Sequence, residues 1–517
     1  MMRCKLPIGI QTFSLIREEG HCYVDKTPLV ARMAAEGKYY FLSRPRRFGK
    51  SLLVSTLAEA FAGHRALFEG LYLANHWDWE RRSPVIRIDL GQGVVRSRED
   101  LERRLMRNLG LLAETHDHTL SARTPDEALE ELVLFMHHTT GERVVVLVDE
   151  YDKPILDNLH DPAQARLIRD ALRSLYSVIK IQDAHLRFGF LTGVSKFSKV
   201  SLFSGLNNLI DITLDPRYAT LCGYTQQELQ SVFADYLEDV DLEQVRHWYN
   251  GYNFLGERVY NPFDVLLYLD SRLLRPYWFE SGTPTFLVEL MRRRGFDAAA
   301  LEEIEVTDRL LGSFDVDAIE PETLLFQTGY LTIQGERGMP GAAIYQLGLP
   351  NQEVRQSLSD HFLAELSRSG QRQDRNKLGL YDALEADDPA ALERLFHAFF
   401  AAIPHDWYRN NQLAGYEGYY ASVVYCYFAA LGIDLIAEDA TNHGRIDLTV
   451  RHRGRVWLIE FKVNEMTQPG RALDQLKARG YAAKYAGSPV TLIGIEFSRE
   501  SRNLSRFEWE RLTPAPG

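Results

Sequence analysis

Five consecutive apolar residues, Val144-Val145-Val146-Leu147-Val148, run straight into two carboxylates, Asp149 and Glu150. A strand that is apolar on both faces has to be covered on both, as in a parallel sheet flanked by helices. The stretch therefore commits the chain to an α/β layer and sets two acids at a strand's C-terminal end, where such sheets bind ligands. Residues 39–42, 85–90, 186–192 and 209–214 read as further strands alternating with helix-like segments, which is the pattern of a parallel sheet.

A second stretch, Phe41-Leu42-Ser43-Arg44-Pro45-Arg46-Arg47-Phe48-Gly49-Lys50-Ser51, leaves a strand, turns, and enters a helix marked by Leu53, Leu57, Ala60 and Phe61 at helical spacing. The unpaired N–H groups and positive dipole end of such a helix suit a polyphosphate. In the loop G-x-x-x-x-G-K-[ST], glycine lets the backbone wrap the phosphates, lysine reaches the β/γ oxygens and the hydroxyl holds Mg²⁺. Gly49, Lys50 and Ser51 supply the last three, while Arg44 stands where the first glycine belongs. Arg46, Arg47, Phe48, Gly49, Lys50 and Ser51 are accordingly the candidate nucleotide-binding loop. Asp149 joins Ser51 on the metal, and Glu150 orients or deprotonates the attacking water. Thr192, before Gly193-Val194-Ser195-Lys196, is a candidate γ-phosphate sensor, as is Ser195, with plain turn chemistry as the competing reading. The cofactors expected are ATP and Mg²⁺.

A chain of 517 residues exceeds one core. The segments expected are 1–215 for a P-loop ATPase sheet, 216–350 for a helical, winged-helix-like lid, 351–404 for a helical connector and 405–517 for a second α/β domain. Within the lid, Thr225 and Glu228 form a capping box, Asn261-Pro262 starts a helix, Trp248-Tyr249-Asn250-Gly251-Tyr252 packs around a glycine turn, and 330–333 with 344–347 form a hairpin. Cys4, Cys22, Cys222 and Cys426 lack metal-ligand spacing and read as reduced thiols. No apolar run approaches the ~20 residues that span a bilayer, so a cytoplasmic protein without a membrane partner is expected. The net charge of -12 rules out a coat of positive charge but permits a local basic groove, for which Arg44/Arg46/Arg47, 292–294 and Arg451/Arg453/Arg455 are candidates.

A separate chemistry begins at Glu417. Tyr420, Val423, Val424, Tyr427, Phe428 and Leu431 mark a helix face that Glu417 shares, and a carboxylate there needs a partner. Residues 446–450 and 456–462 read as strands joined at Arg453-Gly454. That turn sets Asp447 opposite Glu460, with Lys462 two residues along on the same side. Two carboxylates and a lysine on one face suit Mg²⁺-assisted phosphodiester hydrolysis, with Mn²⁺ as an alternative metal. Asp447 and Glu460 would bind the metal, and Lys462 would position water or neutralise charge.

This stretch resembles the PD-(D/E)XK nuclease superfamily. The resemblance assigns Glu417 to the first helix, Asp447 and Glu460-Phe461-Lys462 to the catalytic core, Gln475 to the glutamine of the next helix, and Tyr481 to its aromatic companion. The whole chain resembles the AAA-ATPase-like proteins fused to such a nuclease. That likeness rests also on Tyr23-Val24-Asp25-Lys26-Thr27, the 44–51 loop, Val148-Asp149-Glu150-Tyr151-Asp152, Trp248-Tyr249-Asn250-Gly251-Tyr252 and Tyr260-Asn261-Pro262. It implies a prokaryotic ATPase that controls a DNA-cleaving nuclease, in genome defence or mobile-element biology. The expected partner is nucleic acid, DNA ahead of RNA, and self-association is left open. The competing expectation is a nucleotide-driven switch or assembly protein whose nuclease fold only holds nucleic acid.

Overall fold

In the computed structural model the described residues are 3–196, 208–278, 299–311, 320–339, 342–367, 370–403, 417–464 and 470–512. They divide into two compact units. One comprises Met1–Trp278 with Glu305–Asn351, the other Phe279–Ile304 with Gln352–Gly517.

The first unit holds five parallel strands, β1 (Tyr39–Ser43), β2 (Val85–Asp89), β3 (Val144–Asp149), β4 (Leu186–Gly193) and β5 (Ile210–Asp211), in the order β2-β3-β4-β1-β5. All six residues of β3 are buried, as a doubly covered strand requires. The helices Arg98–Glu114, Pro125–Thr140 and Pro162–Ile181 contribute Leu105, Leu132 and Leu172 to a core shared with Val146 and Val148. β5 is shorter than the expected 209–214: only Ile210 and Asp211 pair with β1 as strand, while the Ile212 N–H still donates to the Phe41 carbonyl at 3.0 Å and the Thr213 hydroxyl accepts the Ser43 N–H at 3.0 Å.

The region after β5 is mainly helical. Thr225 and Glu228 form the capping box on the helix Gln226–Val232, and Asn261 caps Pro262–Ser271. The helix Leu242–Tyr249 brings Val245 and Tyr249 into a core with Leu229, Val265 and Tyr277. Beyond β6 (Ile304–Thr307), the hairpin of β7 (Thr332–Met339) and β8 (Ala342–Gly348) is longer than its apolar residues suggest, because polar residues of the arms also pair.

Cys4 and Cys22 form a disulfide, correcting the expectation of reduced thiols. The Cys22 N–H donates to the Lys5 carbonyl at 2.8 Å, and Lys5 bridges His21, so local backbone pairing closes a gap of 18 positions. Spacing along the chain does not display such a pairing. Cys222 and Cys426 are buried and take no part in a disulfide.

In the second unit the helices Gln352–Ser367, Gly370–Glu385 and Pro389–Ala401 precede a five-stranded mixed sheet. Its strands are β9 (Asp434–Thr441), β10 (Gly444–His452), β11 (Arg455–Val463), β12 (Val490–Ser498) and β13 (Asn503–Leu512), in the order β13-β12-β11-β10-β9. Only β11 and β12 run parallel. The helix Arg471–Ala478 lays Leu473 and Leu476 against Leu458 and Leu492.

Gly251 tests the reading of its motif as a packed turn. Its φ is 127°, and a Cβ there would collide with the carbonyl of Pro350. Gly251→Ala is expected to destabilise the protein by about 3 kcal/mol, through combined backbone strain and overlap, measured as a lowered denaturation midpoint.

Candidate active sites

The first site forms where β1, β3 and β4 end. β1 turns at Arg44-Pro45 and resumes as the helix Lys50–Ala62, with Arg47 and Gly49 both at positive φ. Lys50 is buried, and its ammonium donates to the carbonyls of Arg44 at 3.0 Å and Pro45 at 2.9 Å while lying 4.0 Å from Glu150. Ser51 is hydrogen-bonded to Asp149. Burial pushes the Asp149 carboxyl above the usual range against that bond, and the neighbouring charge of Glu150 adds to the rise. Glu150 turns the chain out of the strand at φ 52°, its N–H donating to the Asp149 carboxylate at 3.0 Å. Lysine, hydroxyl and two acids thus lie together at the end of the sheet.

The other loop residues divide by role. Phe48 is buried edge-on against Tyr252, and the Arg47 guanidinium stacks over Phe263 at 4.5 Å, so both side chains face the helical region. Arg46 is exposed. Arg44 is wholly buried, and its guanidinium donates to Ser43 O, Thr213 O and Tyr218 O while stacking on Phe254 at 3.8 Å. Burial brings its pKa down to about 10. Arg44 therefore ties the loop to the following segment and gives nothing to a basic groove, which corrects that expectation. Arg451 and Arg453 are paired with Asp434 and Glu385, and 292–294 lie outside the described residues.

β4 does neighbour β1, with Thr192 beside Leu42, and the Thr192 hydroxyl donates to the Leu42 carbonyl at 2.8 Å. The Ser195 hydroxyl instead meets Asp152. Two acids escaped the sequence reading. Asp89 ends β2 in register with Asp149 and accepts the Gly91 N–H at 2.8 Å. Asp152, two positions after Glu150, is wholly buried. The signal for Asp89 was its place at a strand end, and for Asp152 its place in the same acidic run.

The second site lies on the mixed sheet. β10 and β11 pair from His452 beside Arg455 to Leu448 beside Ile459, which is the expected register. At the next position the ladder opens, and the Asp447 carboxylate accepts the Phe461 N–H at 2.7 Å. Glu460 is buried, with Lys462 donating to its Oε1 at 3.0 Å and Gln475 donating to the same oxygen. Lys462 also donates to the Phe461 carbonyl at 2.7 Å. Tyr481 sits against Gly444. Burial raises its hydroxyl pKa, and the charges of Glu460 and Asp447 raise it further, which places Tyr481 beside both carboxylates. Asp439, in register with Ile446, anchors Lys484 and Tyr485 of the turn that carries Tyr481. Burial would raise Asp439, but those donors, with Thr449, hold it below the usual carboxylate range. Glu417 opens the helix Glu417–Ala429, and its side chain lies outside the described residues. Glu496, which the sequence reading did not single out, is buried in register with Lys462.

Among the described residues no group of three or more His, Cys, Asp or Glu side chains comes together as a metal cage. Both sites instead offer few, hard oxygen donors. Such sets fit Mg²⁺, which keeps waters and takes substrate phosphates rather than filling an all-protein shell.

Because Lys50 satisfies two carbonyls, Lys50→Ala should lower stability by about 1–3 kcal/mol as well as remove the cation expected to meet phosphate. Calorimetry below the variant's unfolding transition should find no ATP binding. Undiminished affinity there would separate the loop from the nucleotide.

Residues 7–203 match the family model described as predicted AAA-ATPase, and residues 415–507 match that of the PD-(D/E)XK nuclease superfamily. Over 515 residues the chain is 54% identical to the "uncharacterized protein in vnfD 5'region" of Azotobacter chroococcum mcd 1, covering 99% of this chain and 100% of that one. Among the described residues no helix is long and apolar enough to cross a membrane.

Proposed function

Since the chain belongs to the family of that Azotobacter protein, an AAA-ATPase-like domain followed by a PD-(D/E)XK nuclease domain, we propose that it binds and hydrolyses ATP to control a metal-dependent nuclease acting on DNA. The observation that carries the reading is the meeting of Asp447, Glu460, Lys462 and Gln475 at one opening of the β10–β11 ladder. A buried carboxylate held by both a lysine and a glutamine, close in the chain to the strand position that meets Asp447, supports cleavage over a fold that only holds nucleic acid.

In this reading Asp447 and Glu460 hold Mg²⁺ or Mn²⁺ at the second site, and Ser51 and Asp149 hold Mg²⁺ at the first. When bound, the metal supplies Lewis acidity at a phosphate oxygen and a more acidic water. Lys462 neutralises charge developing on the scissile phosphate, and Gln475 fixes the Glu460 carboxylate. At the first site Lys50 exchanges its two backbone carbonyls for the β/γ phosphates, and Glu150 orients the attacking water. Arg46, exposed on the loop, is available to the nucleotide; Phe48 and Arg47 serve it indirectly, by fixing the loop. Thr192 acts through the backbone of β1.

The test incubates pure protein with linear, circular and single-stranded DNA and with RNA, with Mg²⁺ or Mn²⁺, with and without ATP. Metal-dependent cleavage of DNA is expected to disappear with EDTA, in Asp447→Ala and in Lys462→Ala, while both variants keep ATP binding. Lys462→Ala should also melt lower, because Glu460 then loses its cation. Cleavage that survives both substitutions would return the chain to the role of a nucleotide-driven switch.

Glu150→Gln is expected to bind ATP with parental affinity and to lose turnover by about 100-fold or more, as removal of a general base does. A malachite green phosphate assay at saturating ATP measures it, and parental turnover would reassign the water to another residue.

A further inference from the structure

Asp152 is a carboxylate that the proposed chemistry leaves unused, and it is wholly buried. Although it directly precedes the short helix Lys153–Leu156, it does not cap it. Its side chain points at the loop after β4. One oxygen accepts the Ser195 N–H at 2.6 Å and the Ser195 hydroxyl, and both lie 3.2 Å from the Val194 N–H. The approach is close enough that a Cβ on residue 193 would collide with the Asp152 carboxylate, so Gly193 is required there.

Further bonds lace the same two segments. The Tyr151 N–H donates to the Thr192 carbonyl at 3.1 Å, and the Tyr151 hydroxyl to the Ser195 carbonyl at 2.9 Å. On its other side the 193–195 loop is bonded to the phosphate loop. The Arg44 N–H donates to the Gly193 carbonyl at 3.2 Å and the Ser43 hydroxyl to the Val194 carbonyl at 2.5 Å. Residues 193–195 thus form a bridge between the phosphate loop and the acid turn that carries Glu150.

We propose that Asp152 is a positioning residue for ATP hydrolysis, which in its ionised form clamps the acid turn to the 193–195 bridge and so fixes Glu150 relative to the phosphate loop. Three donors converge on it, and a carboxylate presents nothing but acceptors to them. An asparagine must turn an N–H₂ toward one of them.

The charge is kept against the interest of stability. Burial, with the charge of Glu150 beside it, pushes the Asp152 carboxyl up to about 6. The groups facing it are Glu150 on its own turn, Ser195 across the loop and Tyr176 on the helix Pro162–Ile181. A folded value above the unfolded one means that the native state holds this proton more tightly. The contribution is therefore favourable below the unfolded pKa of about 3.9 and is lost as the pH rises through about 6. At pH 7 the ionised carboxyl costs stability, and a buried charge retained at such a cost points to function.

The inference rests on the ATPase reading, and its test is Asp152→Asn in the full chain. Expected at pH 7 are a fall in kcat for ATP of at least about tenfold, as misplacement of a catalytic group produces, with ATP Kd within about twofold of the parent's. The melting temperature should be no lower than the parent's. Ser195→Ala, which removes one of the three donors, should give a smaller loss of kcat with the same Kd, and it serves if Asp152→Asn does not fold. Equal kcat in parent and variants overturns the inference alone. A kcat that falls only together with the melting temperature and ATP affinity overturns it in favour of a merely structural contact. A parent that binds ATP nowhere removes the ATPase reading and the inference together.

Discussion

A carboxylate taken out of water needs donors, and in this chain those donors come from neighbouring strands, the segments that follow them and, for Glu460, its own strand and the helix Arg471–Ala478. Asp149 is met by Ser51 from the helix after β1, Asp152 by the backbone after β4, Asp447 by the N–H of Phe461 across the ladder, and Glu460 by Lys462 and Gln475. The first three pairings tie a strand end to an adjoining segment, and the last ties β11 to the helix Arg471–Ala478. The same contacts that stabilise the two sheets therefore set the geometry of the two sites.

The cost differs between the two units. Asp439 lies below its ordinary range because lysine, tyrosine and threonine surround it, so its burial is well compensated. Asp149 and Asp152 are both raised, because their donors do not outweigh burial and the adjacent charge of Glu150. Acids crowded at a sheet mouth are held in a state that a bound cation would relieve.

Arg44 shows how a loop can be held in place where the general pattern has a glycine. The glycine of the general pattern lets backbone approach phosphate, yet here a buried guanidinium bonds three carbonyls and stacks on Phe254. The loop is held from behind by a cation-π contact and backbone acceptors. Phe48 and Arg47 extend that grip to Tyr252 and Phe263, so the nucleotide loop and the helical region form one packed assembly.

By itself the sequence determined the α/β class, the strand that ends in Asp149, the Gly49-Lys50-Ser51 helix start, the capping box at Thr225 and the β10–β11 register. These are set by local periodicity, by turn chemistry and by the sign of side chains at element ends, all of which are written within a dozen residues. The tertiary structure alone decided that Arg44 is buried, that Thr192 spends its hydroxyl on β1, that Cys4 reaches Cys22, and that Asp152 closes on Ser195. It also decided that the Asp447 carboxylate accepts the Phe461 N–H across the ladder. Each depends on which strands become neighbours and on how closely their ends approach. That is a matter of burial and donor supply summed over segments up to 170 positions apart, such as Ser43 and Thr213, and no local pattern encodes it.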